Sequence, residues 1–421
     1  MTDEITLPAT FKKTWNTTAV LDGLLVQLPG RVIVTADAKQ GSTARVEVTS
    51  DSQALLDLIS LNTTTALDTV IDVGCNTLFA LDEPNQTFVN ITATSPIDVH
   101  AAGALLVRVF VKTPFSWVKT TAETVLVSGS LVNGDDKAVS VTSIGDGNVS
   151  IAAAYPVHLA NLTLATVGAG SIQLSANNLT ATNRISLAGT GAGNLAIQSR
   201  DAIDAHVIHT SLAGRGAVFV TATHSIHALN LHTTVTGRGA VNFYPAGAVD
   251  TNTITVTGSG RVNTGSIVAQ NATVTATGAA DVIVQVVDTL TTDSSGNSKI
   301  AYFNATPAHV PEPKGWWIFS SPSAVPTVQN KYDTYNFTAL PSIVPVAVSI
   351  DLNASKASRH CIYQTFVSGP AAVAIQPIHA LATAPRVDAI GGGALALFLL
   401  AVVAFFVVKA KKRTGYTALP K

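Results

Sequence analysis

Residues 191–220 read GAGNLAIQSRDAIDAHVIHTSLAGRGAVFV, and this stretch decides the architecture. It carries the same step twice, Gly191 with Gly193 and Gly214 with Gly216, each followed by a small or polar residue and then an aliphatic one. Followed outward, the step occurs at Gly145 (GDGNV), Gly168 (GAGSI), Gly191 (GAGNL), Gly214 (GRGAV) and Gly237 (GRGAV), four equal intervals in succession. Spacing then shortens through Gly258 (GSGRV), a degenerate Gly278 (GAADV) and Ser294 (SSGNS). Regular recurrence with a period of roughly 23 residues marks a repeat architecture.

Between the steps, apolar residues fall in short alternating runs: Val149 and Ile151, Ile172 and Leu174, Leu195 and Ile197, Val218 and Val220, Val241 and Phe243. That is strand periodicity. A second column, Leu162, Ile185, Ile208, Leu231 and Ile254, holds one register from unit to unit, so equivalent side chains are expected to stack. A unit of roughly 20 to 23 residues is too short for a propeller blade and lacks helical spacing. It fits one coil of an all-β parallel β-helix, a solenoid with tight corners where glycine supplies backbone angles closed to residues with Cβ. At about 4.8 Å per coil, the eight marked units would span roughly 40 Å. The competing architecture is a β-sandwich or meander with coincidental glycine spacing.

The same residues carry a resemblance. Residues 20–59, VLDGLLVQLPGRVIVTADAKQGSTARVEVTSDSQALLDLI, the repeated G-x-G-x-aliphatic units, and residues 294–310, SSGNSKIAYFNATPAHV, resemble the auto-transporter adhesin head GIN domain family over roughly residues 14–310. The resemblance implies a β-helix and a surface-adhesion role, and it brings no catalytic residues. A membrane anchor is an addition to that domain.

The anchor is the segment 389–408, which contains no charged or strongly polar side chain. As a helix at about 1.5 Å per residue it covers roughly 30 Å, the hydrocarbon thickness of a bilayer. Lys409, Lys411, Lys412 and Arg413 follow at once, while only Arg386 lies close before it, so the C-terminus is expected in the cytoplasm. The ectodomain then stands extracellular or lumenal, at the plasma membrane or an endosomal or lysosomal membrane. A secretory leader should precede it, yet residues 1–30 contain Asp3, Glu4, Lys12 and Lys13 and no basic start leading into a continuous apolar stretch. Either the true beginning lies upstream, or the chain is tail-anchored with its bulk in the cytosol, against the charge rule.

Glycosylation acceptors favour the first option. Asn16, Asn62, Asn85, Asn90, Asn148, Asn161, Asn178, Asn271, Asn304, Asn336 and Asn353 begin 11 sequons, where composition alone gives about four. A net charge of −1 with 12% charged residues argues against a nucleic-acid partner. Cys75 and Cys361 are the only two cysteines, which excludes a disulfide framework and a four-cysteine zinc site. They are candidates for one disulfide between the N-terminal and juxtamembrane regions; two unpaired buried thiols are the alternative.

The expected organisation is residues 1–13 as an N-terminal segment, 14–310 as the β-helix, 311–388 as a Pro-rich cap or stalk, 389–408 as the transmembrane helix and 409–421 as the cytoplasmic tail. Pro311, Pro313, Pro322, Pro326, Pro341, Pro345, Pro370, Pro377 and Pro385 interrupt Val and Ile runs in the cap or stalk. Trp316 and Trp317 there are a candidate apolar platform, or are split between core and surface. In the tail, Tyr416 followed three places on by Leu419 resembles the sorting signals that clathrin adaptors bind as an extended strand. The alternative is a disordered tail that merely stops transfer.

Two groups of residues bear on chemistry. β-Helical lyases and hydrolases need paired carboxylates, or acidic calcium ligands beside Arg or Lys. Arg200, Asp201 and Asp204, with Asp250 later, are the best candidates, but the repeat register puts Asp201 and Asp204 in the columns of His224 and His227 rather than of further carboxylates. The His cluster of His206, His209, His224, His227 and His232, with Asp204, could be assembled into a metal site; outward His ladders without metal are commoner. The reading is therefore a non-enzymatic surface glycoprotein without cofactor or metal, whose ectodomain meets a protein or glycan ligand. A membrane-tethered carbohydrate-active enzyme is the alternative.

Overall fold

A computed structural model of the chain describes residues 10–66, 70–72, 78–80, 86–95, 98–310, 324–352 and 362–366. The apolar run 389–408, the tail with Tyr416 and Leu419, Cys75, Cys361, Asn85, Asn353, Trp316 and Trp317 lie outside these residues. Among the described residues the single helix is Gln53–Leu58, and no helix is long and apolar enough to cross a membrane.

The repeat forms a β-solenoid. Each coil gives a short strand (Val149–Ala152, Ile172–Ala176, Leu195–Ser199, Ala217–Ala222, Ala240–Tyr244) and a long one (Val157–Gly168, Leu179–Gly191, Ala202–Gly214, Ser225–Gly237, Gly247–Gly258), and coil stacks on coil in parallel register. The long strand bends. In Ala202–Gly214, Ile203 and Ala205 turn inward, then Ile208, Thr210 and Leu212 do so; the alternation slips one place at His206 and Val207. That slip is a corner, so three faces follow: a short face, a middle face before the slip and a long face after it.

The aliphatic pairs from Val149 to Phe243 all pack inside, each against its counterpart one coil on. Leu162, Ile185, Ile208 and Leu231 likewise stack in one buried column. Burying each such side chain stabilises the coil by about 1.5–3 kcal/mol. Ile254 departs from the expected column: it pairs with Thr233, and Asn252 stands beneath Leu231. The cause is coil length. Register joins Val218 to Val241, Val241 to Val262, Val262 to Val282 and Val282 to Ile300, and each of these steps along the chain is shorter than the one before. The same shortening puts Gly296, not Ser294, in the glycine column below Gly278.

That column closes the long face. Gly191 and Gly214 have φ of +117° and +129°, and a Cβ on either would press into the carbonyl oxygen of the glycine one coil before. Only glycine satisfies both the angle and the approach.

At the N-terminal end the chain order departs from the spatial order. Gly23–Gln27 lies between Gln86–Ala93 and Trp117–Thr120, and Arg31–Ala36 lies between Val99–Val111 and Glu123–Leu126, all parallel. The chain therefore leaves after the two strands of its first coil, Gly23–Gln27 and Arg31–Ala36, returns one coil further out, and then crosses to the other side. Antiparallel strands Ala44–Ser50 and Val346–Leu352 pair with Val99–Val111, and Phe11–Thr17 pairs with Ala44–Ser50, so the outermost coil is not left as a long unpaired edge.

Residues 324–345, within the expected cap or stalk, form a strap over the short face, and Val346–Leu352 pairs at the outermost coil. After Val325–Thr327 pairs with the last short strand, Lys299–Phe303, the chain runs back along the short face toward the N-terminal coils. Asn330 donates to the Ser266 hydroxyl at 2.7 Å, the Asp333 N–H to Asn242 Oδ1 at 2.9 Å, and the Tyr335 N–H to the Tyr244 hydroxyl oxygen at 3.0 Å. Further on, Thr338 exchanges hydrogen bonds with the Gln173 amide, and Arg31, paired with Glu123 at 2.8 Å, donates to the Ser342 carbonyl at 2.8 Å. Tyr332 stacks on Tyr244 with ring centroids 5.0 Å apart, and Tyr335 leans on Phe219 at 5.3 Å. Pro326, Pro341 and Pro345 lack a ladder donor, which suits a segment held by side chains instead.

Candidate functional site

The middle face is open and concave. A groove of about 650 Å³ runs over it across five coils, with Thr180, Asp204, His206, His227, Leu229 and Asp250 among its walls. Alternation dictates what it displays: with Ile203 and Ile226 locked inward, Asp204 and His227 must point out. Register then places Asp204 between Thr180 of the preceding coil and His227 of the next.

The acidic residues of the candidate catalytic segment are divided between the corner and the groove. Asp201 meets His224, with Nδ1 and Oδ1 2.9 Å apart and both side chains largely exposed. Asp204 and Asp250 share the groove but stand two coils and two residues off register, about 12 Å between Cα atoms at the usual strand spacings. Arg200 lies exposed at the corner on the short-face side, beside Asn177. Asp201 and Asp204 thus stand in the columns of His224 and His227, where the repeat register of the sequence puts them.

His209 and His232 are neighbours in one column of the long face, with ring centroids 6.4 Å apart and planes tilted by 54°. Burial holds the His209 imidazole below its ordinary pKa, and the charges of Arg184 and His232 push it further down. The corner at His206 separates this ladder from Asp204, so the carboxylate and the two imidazoles face different directions. Among the described residues no three His, Cys, Asp or Glu side chains gather into a metal site.

The sequons distribute unevenly. Asn161 and Asn271 open long-face strands, Asn148 sits at the corner between long and short faces, Asn178 at the corner before the middle face, and Asn336 on the strap. Asn304 follows the last short strand, and Asn16, Asn62 and Asn90 lie on N-terminal strands. Asn16, Asn62, Asn148, Asn271, Asn304 and Asn336 are exposed, whereas Asn90, Asn161 and Asn178 are half-buried, with the amide oxygens of Asn90 and Asn178 enclosed. Of the solenoid's three faces, the middle one carries no sequon among the described residues.

The strap and the groove are what sequence reasoning missed. Thr180 and Leu229 could have been found from the columns of Asp204 and His206, but nothing local marks Gln173 or Asn242 as strap contacts.

Residues 192–306 match a family model described as "Putative auto-transporter adhesin, head GIN domain". Among solved structures, the chain is similar to a putative adhesin from Parabacteroides merdae, with 13% identity, 70% of this chain and 95% of that one covered, and a TM-score of 0.37. A putative adhesin from Bacteroides fragilis gives 15% identity, 61% and 97% coverage and a TM-score of 0.41. A protein from Parabacteroides distasonis, described as a putative lipid binding protein, gives 12% identity, 76% and 96% coverage and a TM-score of 0.30. Comparison with curated proteins returns no match.

Proposed function

We propose that this chain is a single-pass, membrane-anchored surface glycoprotein whose solenoid is a non-enzymatic adhesion or binding module, with the middle face meeting a protein or glycan ligand. One observation carries the reading: among the described residues, the middle face is the solenoid face that neither the strap nor any sequon occupies. Glycans on the neighbouring edges would leave it accessible. Its mixture of hydroxyl, imidazole, carboxylate and aliphatic groups suits a ligand that offers both hydrogen-bonding and apolar patches.

The anchor is the 389–408 run, oriented by Lys409, Lys411, Lys412 and Arg413. A disulfide between Cys75 and Cys361 and adaptor binding through Tyr416 and Leu419 belong to the same proposal. Residence is at the plasma membrane or an endosomal or lysosomal membrane. The test expresses the full chain in secretory-competent cells and measures adhesion to immobilised candidate glycans and to cells. Asp204→Arg with His227→Glu is expected to reduce adhesion while an endoglycosidase still shifts the band. Unaltered adhesion sinks the middle-face assignment, and an unshifted wild-type band sinks the glycoprotein topology.

A further inference from the structure

The strap crosses the coils over one outward column of the short face, in which register stacks Gln173, Ala196, Phe219, Asn242 and Asn263. Strand alternation points these five side chains away from the core, yet all are buried, because the strap is their cover. What this floor grips is chiefly main chain. The Gln173 amide accepts from the Thr338 N–H at 3.2 Å and donates to the Thr338 carbonyl at 2.9 Å, Asn242 Oδ1 accepts from the Asp333 N–H, and the Tyr244 hydroxyl oxygen accepts from the Tyr335 N–H. Side chains are read at few points: Tyr332, Tyr335 and Phe337 seat against Phe219 and Tyr244, and Asp333 lies 2.9 Å from Arg261 on the rim. A rigid floor that holds N–H and C=O groups, with pockets for a few side chains, is the arrangement by which extended peptides are recognised.

The strap satisfies this floor only in part. Gln173 uses both ends of its amide, but Asn242 gives the strap its oxygen alone, and its Nδ2 is enclosed without a partner among the described residues. The same holds for Nδ2 of Asn263, whose oxygen accepts from the Gly265 N–H at 3.0 Å. These two side chains are 3% and 4% exposed, so the strap excludes solvent from donors that it does not answer. Each such donor weakens the strap's hold. The strap also turns Val328, Leu340, Ile343 and Val344 to solvent instead of seating them on the face.

We infer that the short face is a binding track for an extended peptide of another protein, and that the strap is the resident which such a peptide displaces. The incoming segment carries a carboxylate between two aromatic side chains three residues apart, as Tyr332, Asp333 and Tyr335 do, and it sets carbonyl oxygens against the amides of Asn242 and Asn263. Arg261 complements its charge. The track is separate from the middle-face groove, and either assignment can fail without the other.

The probe is a fluorescein-labelled peptide of residues 330–342, NKYDTYNFTALPS, titrated into the full chain and followed by anisotropy. Tyr332→Ala with Tyr335→Ala, which removes the resident's aromatic contacts, is expected to bind the probe at least tenfold more tightly than the wild type. Adding Gln173→Ala should weaken that binding several-fold, and a scrambled peptide should not bind. No saturable binding to the folded double variant, or equal binding of the scrambled peptide, overturns the track. Should the double variant not fold, the wild-type chain labelled with ¹⁵N decides: excess unlabelled peptide is expected to move the Asp333, Tyr335 and Thr338 amide signals saturably and to leave that of Leu24 in place, and unmoved strap signals overturn the proposal. Concentration-dependent dimerisation of the full chain that Gln173→Ala abolishes would give the track to a second copy and overturn the foreign partner.

Discussion

The coils and the strap are held by opposite kinds of bonding. In a coil the backbone is answered by the coil before and after, and Ile185 or Ile208 repeats the packing of Leu162. Along the strap almost nothing repeats: an amide here, a phenol there, an arginine at the end, joining residues 91, 165 and 311 positions apart. The coils are therefore robust to most single changes but intolerant of anything that disturbs stacking, while the strap depends on a few side chains and can loosen without the solenoid unfolding.

The largest test of the stacking half is Gly191→Val. A β-branched residue at φ +117°, with its Cβ driven into the Gly168 carbonyl, should cost about 3 kcal/mol or more, read as a lower urea midpoint. Gly41→Ala is the control, since its added Cβ meets nothing within 4 Å, and it should leave the midpoint in place. Equal midpoints for the two variants would mean that the glycine column is ornamental.

The strap half is tested by Gln173→Ala. This removes the amide that accepts from the Thr338 N–H and hydroxyl and donates to the Thr338 carbonyl, a loss of about 1–3 kcal/mol felt in the strap. Limited proteolysis should cut within residues 328–345 sooner, leaving a solenoid fragment with unchanged β-sheet circular dichroism. If the whole molecule melts earlier instead, strap and coils form one cooperative unit.

This division also explains what could be read from the residues. Periodicity legible in Val149, Ile172, Leu195, Val218 and Val241 gave the coils, their register and the outward placement of Asp204 and His227, because a solenoid's contacts lie one repeat away. Asn252 beneath Leu231 was illegible from a fixed period, since a shortened coil stays invisible until the stacking shows where the chain was trimmed. The strap was illegible altogether: Tyr335 finding Tyr244 and Arg31 finding Ser342 follow no repeat, and Gln173 looks like any other outward residue of a strand. So was the reversal that places Gly23–Gln27 between two later strands, where the Trp117 indole fills the space a Cβ on Gly23 would need.

A smaller effect comes from pH. His209 has its pKa lowered in the folded chain, by burial first and then by the Arg184 and His232 charges. The unfolded chain then takes up the proton more readily, so the neutral ring's contribution is fully present above the ordinary histidine pKa of about 6.5 and declines as pH falls below it. His209→Asn should flatten this part of the stability curve between neutral and mildly acidic pH, as followed by the thermal midpoint. A curve as steep as the wild type's assigns the acid sensitivity to other groups.

The smallest expected change is His224→Ala. The pair it forms with Asp201 bridges two coils at 2.9 Å, but the two side chains keep 72% and 62% of their surfaces in water. Exposed pairs of this kind contribute roughly 0–1 kcal/mol, since solvent screens the attraction and two mobile side chains must be fixed to gain it. Stability is thus expected to stay within error, and adhesion through the middle face should also persist, because His224 precedes that face's strand, Ser225–Gly237, rather than lining its groove. A large loss of adhesion with stability intact would move the contact surface to the corner beside Arg200, and would reopen the acidic segment 200–204 as a site that acts on its ligand.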